Sequence, residues 1–228
     1  MLMKSENSGK GIAEEIKRDW LALVLIAVSL LVAFLIYPHL PERVPSHWNV
    51  KGQVDSYSSK SWGAFGLPLM TAGIYFLMVI VPRIDPKKGN YDRFKGAYRL
   101  IKLAFVLFFI ALYAVVLMNA MGFPVPVDRM VIIAMGLLFM VIGNFMGQFR
   151  HNYFIGIKTP WTLASEDVWQ KTHRFGARIW VGSGLVMAIT GLFFGGQRGF
   201  LLVMASIAVA ALVPVIYAYL LYKKTDAK

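Results

Sequence analysis

Residues 20–37 read WLALVLIAVSLLVAFLIY, without a single Asp, Glu, Lys, Arg or His. At about 1.5 Å of rise per residue, a helix of this length nearly crosses the ~30 Å hydrocarbon core of a bilayer. The segment before it, residues 1–19, is polar and mixed in charge, and no small-residue cleavage site follows the run. The expectation is therefore a retained membrane helix and not a cleaved signal.

Five further runs of this kind follow, at 63–81, 103–121, 130–146, 179–194 and 200–222. The fourth and fifth runs are short, and the fifth extends backward through 166–178, which has helical character. Strands are excluded as spanning elements, because the runs are far longer than barrel strands and an open sheet edge cannot be satisfied in lipid. Composition agrees: 57% of the 228 residues are hydrophobic and 16% charged, against about 25% charged in a soluble domain. The fold class is all-α, a polytopic six-helix transmembrane bundle. With no cysteine in the chain, disulfides and thiolate metal sites are excluded.

Orientation follows from the basic residues. Alternating loops place nineteen of the 24 Lys and Arg on one side, leaving Arg43, Lys51, Lys60, Arg129 and Arg198 on the other. The richer side is cytoplasmic by the positive-inside rule, so both termini are cytoplasmic. The net charge of +12 is then a topology signal and a contact with membrane lipids. Direct nucleic-acid binding is not supported, since no recognition motif accompanies the charge.

Three parts emerge: a cytoplasmic segment at 1–19, an N-terminal membrane domain at 20–121 with an external loop at 38–62, and a second membrane domain at 122–228 with a cytoplasmic loop at 147–178. Short turns make the third and fourth helices, and the fifth and sixth, antiparallel neighbours. No ionisable group sits at the centre of a span, which argues against an ion-coupled transporter or channel. Asn119 and Asn144 are expected to hydrogen-bond between helices. Gly143 and Gly147, like Gly191 and Gly195, lie four apart and suit close helix approach. Pro68 and Pro214 are expected to bend their helices.

Chemistry concentrates in the two loops. In the external loop, Pro38, Pro41 and Pro45 favour extended backbone, and Gly52 supplies positive φ for a compact turn. His47, Asn49 and Asp55 form a candidate binding face, with Trp48 and Trp62 at the membrane interface. A metal held by His39, His47 and Asp55 is conceivable, but loop spacings of eight residues fix no geometry, and no metal or cofactor is assigned. In the cytoplasmic loop, 159–162 reads as a turn and Ser165 as a helix cap. Glu166, Trp169 and His173 then share one helix face, and Asp167 and Lys171 pair on another. Glu166 and His173 lie ~10.5 Å apart along the axis, too far to share an ion. The favoured reading is an interfacial amphipathic helix anchored by Trp169 and Trp180, with His173 as a hydrogen-bonded structural residue. No nucleophile motif, phosphate cradle or HExxH appears, so enzyme status is unsupported.

Asn144, Arg150, Asn152, Gly156, Lys158, Thr159, Pro160, Trp161, Thr162, Glu166, Trp169, His173 and Arg174, in that spacing, resemble the signature of the SdpI family of membrane proteins. Pro41, Pro45, His47, Trp48, Asn49, Gly52, Asp55 and Lys60 are similar to the loop of the uncharacterised domain that precedes it in such proteins. Lys158 departs from the Arg usual there, keeping the charge but losing the planar fork. The resemblance implies a multi-pass cell-membrane protein with six spans that gives immunity to a secreted peptide toxin. It also implies a role in signal transduction, by holding a transcriptional repressor at the membrane. The alternatives are a membrane-embedded lipid or peptide hydrolase and a small-solute transporter.

Overall fold

The computed structural model describes residues 14–226; residues 1–13 of the expected cytoplasmic segment lie outside them. Among the described residues six helices are long and apolar enough to cross a membrane. They are α1 (Trp20–Ile36), α2 (Lys60–Ile84), α3 (Lys95–Ala120), α4 (Val127–Met146), α5 (Glu166–Phe193) and α6 (Gly196–Asp226). The third run begins eight residues earlier than its hydropathy marks, because Lys95, Arg99 and Lys102 lie on the helix without interrupting it. The fifth does extend back to Glu166 as one continuous helix. Helices α2 and α6 run on through Pro68, Pro82 and Pro214.

The external loop is not irregular. It forms an antiparallel hairpin of β1 (Arg43–Trp48) and β2 (Val54–Ser59), with register shifts beside Pro45 and His47. A proline cannot donate to a ladder, so its place in a two-stranded edge next to an irregularity is the one available. Hydropathy alone could not reveal this, since only Val44 and Pro45 of β1 are buried.

Helices α3 and α4, and α5 and α6, are neighbours as expected. The closest pair, however, is α4 with α5, which the connection at 147–165 joins. Small residues explain it. A Cβ on Gly136 would lie 2.6 Å from the Gly184 carbonyl oxygen, and one on Gly184 would lie 2.6 Å from the Gly136 oxygen. Gly143 meets the backbone of Val181 and Ala177, and Gly191 meets the Arg129 carbonyl. Backbones this close gain dispersion contacts that lipid cannot replace. Gly143 and Gly191 thus act as their spacing suggests, and the Gly136–Gly184 pair was not legible from it.

Asn119 and Asn144 do not hydrogen-bond between helices; among the described residues neither side chain has a partner, and Asn144 is exposed. Instead α4 is joined to α3 through an aromatic core of Tyr91, Phe94, Tyr98, Met146, Phe149 and Trp169.

Candidate functional site

The outer candidate is the hairpin. Asn49 Oδ1 accepts from the backbone N–H of Lys51 at 2.9 Å and of Gln53 at 3.1 Å, closing the turn. Gly52 sits at φ +75°, as the turn demands. Asn49 is therefore occupied by its own loop and is not free on a binding face. His47 Nδ1 lies 2.5 Å from Asp55 Oδ1, with both side chains in water. His39 is in a separate 3-10 turn (Tyr37–His39), and among the described residues no three His, Asp or Glu converge on a metal site.

The base of the hairpin is anchored. Lys60 Nζ reaches Glu42 at 3.4 Å and lies 5.3 Å from the centre of the Tyr37 ring. Ser59 accepts from Trp62 N–H and caps α2. Val44, fully buried, sits so close to Gly63 that a Cβ there would lie 2.5 Å from its own Cβ. Trp62 is exposed, as an interfacial residue should be, whereas the Trp48 indole N–H is buried without a partner among the described residues. At the tip, Gly52 lies against Asp128, whose carboxylate accepts from Gly196 N–H at 2.7 Å. The hairpin thus spans both halves of the molecule.

The inner candidate is the segment 147–174, and most of its signature is buried structure. Asn152 is wholly buried. Its Oδ1 accepts from Phe154 N–H (2.9 Å), Ile155 N–H (2.7 Å) and Tyr91 O–H (3.3 Å). Its Nδ2 donates to the Arg150 and Ile155 carbonyls. Asp85, also buried, accepts from Tyr91 O–H and from Tyr153 N–H. That acceptor and burial hold the Tyr91 phenol neutral, its pKa pushed far up chiefly by desolvation.

Trp169 is not an interfacial anchor. It is fully buried, donates its indole N–H to the Phe149 carbonyl at 2.9 Å and stacks on His173 at 4.1 Å between ring centres. A ring packed on His151 and His173 and wholly buried has no surface left for lipid. Trp180 is half-buried, stacked on Phe139 and bonded to the Ala210 carbonyl. The reading of His173 as a structural residue stands. Its Nδ1 meets the Trp169 carbonyl at 2.7 Å and its Nε2 accepts from Ile157 N–H at 2.9 Å. Both ring nitrogens are engaged, so the side chain offers neither a free lone pair nor a mobile proton. Gly156, at φ +118°, is the residue this allows, because a Cβ would collide with His173 Nε2.

Thr159 and Thr162 form a capping box on a short helix, Pro160–Ala164, where only a turn is expected from the sequence. Ser165 caps α5, and Lys171 pairs with Asp167 at 2.6 Å. Lys158, Glu166 and Arg174 are exposed, and Trp161 packs near Tyr219. Among the described residues Arg150 Nε is buried without a partner, and the His151 ring hydrogen-bonds to the backbone of Leu163. Lys87 donates to His151 Nδ1 at 2.6 Å, tying the two halves together. Burial, and next the Lys87 charge, lower the His151 pKa, so the ring is neutral.

One cluster escapes the sequence reading. Lys102, 2% exposed, lies 2.5 Å from Asp19 and 2.5 Å from Glu15; Arg83 meets Glu15 at 2.8 Å and Tyr75 donates to Asp19. The two members of each of these pairs are more than 50 residues apart in sequence, and no spacing links them.

Residues 148–218 match the model of the SdpI/YfhL protein family, and residues 24–72 match a domain of unknown function, DUF1648. The chain is 26% identical to the immunity protein SdpI of Bacillus subtilis (strain 168) over 210 residues, which is 92% of this chain and 98% of that protein. No solved structure matches the chain.

Proposed function

We propose that this chain, an SdpI-family membrane protein with a DUF1648 region before it, protects the membrane that houses it against a secreted peptide toxin. The finding that carries this reading is the likeness to an immunity protein along nearly the whole of both chains. The geometry is compatible with it. A hairpin seated on α2 leaves His47, Asp55, Val50 and Tyr57 exposed, and a peptide adds most readily to a preformed, partly apolar surface of this kind.

The inner face would carry the signal. Lys158, Glu166, Asp167, Lys171 and Arg174 are exposed, and a soluble partner such as a transcriptional repressor would dock on them. The toxin-resistance test expresses the protein in toxin-sensitive cells and scores survival. Wild type protects, and His47→Ala combined with Asp55→Ala loses protection while still reaching the membrane at wild-type levels. Equal killing with and without the wild-type protein overturns the reading. The repressor is tested separately, by its recovery with membranes in the presence of toxin and its release by Glu166→Lys with Arg174→Glu.

A further inference from the structure

The ends of α1, α2 and α3 opposite the hairpin line an open cavity of about 660 Å³, whose walls include Arg18, Arg83, Lys88, Lys95, Arg99 and Lys102. Its acids are of two kinds. Glu15 and Asp19 are consumed by Arg83, Lys102 and, at 3.6 Å, Arg99. Glu14 and Asp92 are exposed. Arg18, Lys88 and Lys95 are exposed as well and make no ion pair among the described residues. The cavity thus keeps cations over after its buried pairs are counted.

A second cavity, about 350 Å³, lies alongside. Besides Asp19, Gly96 and Arg99, which line both, it is walled by Leu21, Ala22, Leu100 and Leu103, on the lipid-crossing parts of α1 and α3. A basic chamber at the membrane surface therefore continues into an apolar groove pointing along the spans. Gly96 stands where they join, and a Cβ built there meets nothing within 4 Å.

We propose that the two cavities form one site for an anionic phospholipid of the cytoplasmic leaflet. The phosphodiester lies among Arg18, Lys95 and Arg99, and an acyl chain follows the groove between α1 and α3. A phosphate gains charge-assisted hydrogen bonds from the guanidinium forks, and the chain gains apolar burial that a soluble anion cannot. The site is independent of the toxin reading, since it lies at the opposite face from the hairpin.

The test uses the full-length protein, purified and delipidated, with binding of phosphatidylglycerol and phosphatidylcholine read by native mass spectrometry. Phosphatidylglycerol is expected to bind preferentially, and Arg18→Gln with Lys95→Gln to weaken it roughly tenfold. Gly96→Trp fills the junction and is expected to weaken it comparably, with Gly96→Ala as a control that binds like wild type. Melting curves matching wild type establish that these exposed substitutions leave the fold intact. Equal binding of the two lipids, or undiminished phosphatidylglycerol binding by both the charge and Gly96→Trp variants, overturns the proposal. Displacement by inorganic phosphate, with no effect of Gly96→Trp, assigns the chamber to a free phosphate and overturns the lipid.

Discussion

On the external hairpin, His47 and Asp55 meet at 2.5 Å with side chains 68% and 42% exposed. In the cytoplasmic segment, Asn152, Trp169 and His173 are wholly buried, and each has its polar atoms matched to backbone. Both regions are dense in amide, imidazole and indole groups, and both stand out in the sequence for that reason. Burial separates them. Polar groups held in water are available to a ligand, whereas polar groups buried and paired are spent on holding backbone that forms no regular ladder. The inner signature is thus largely the joint between two membrane halves, and its exposed remainder is the surface left for partners.

The comparison is broken most directly at Asn152. Asn152→Leu removes a wholly buried amide that serves two backbone N–H groups, two backbone carbonyls and the Tyr91 hydroxyl, and leaves these groups without that partner. A loss of about 3 kcal/mol or more is expected, read as a large fall in melting temperature in detergent. A variant that melts like wild type would show that the joint is not where stability resides.

The seat of the hairpin belongs with the buried class. Gly63→Ala drives a methyl into Val44 and is expected to cost about 1–3 kcal/mol. Raised protease cleavage at Lys51, with α4 to α6 undisturbed, is the accompanying sign.

Acid sharpens the contrast from the inner side. His151 has a lowered pKa, so below its ordinary value near 6.5 the unfolded chain takes up a proton that the folded chain resists. The unfolded state then binds more protons, and stability falls as the pH drops from about 6.5 downward. Melting curves at pH 7.5, 6.0 and 5.0 check this, and His151→Gln should flatten the dependence. A trend rising toward acid contradicts the burial argument.

The smallest effect on stability is expected at the hairpin rim. His47→Ala removes one exposed pair and should shift stability by less than about 0.5 kcal/mol. A change comparable to that of Asn152→Leu would erase the distinction between presented and buried polar groups.

The number of spans and their order were legible in the chain alone. Hydrophobic length and the Lys and Arg distribution act locally, each helix answering to the bilayer before it meets its neighbours. The turn at Gly52, the cap at Ser165 and the Asp167–Lys171 pair were legible too, because each depends on residues within four positions. The rest needed packing. The Val44–Gly63 seat, the Gly136–Gly184 approach, the stacking of Trp169 on His173 and the Lys102–Asp19–Glu15 cluster join residues from 4 to 87 positions apart. Even the nearest of these pairs reads equally well as a lipid-facing stripe until residues 149–157 cover it. Side-chain identity states what a residue can bond to; which partner arrives, and whether water or lipid is excluded when it does, is decided when the helices close.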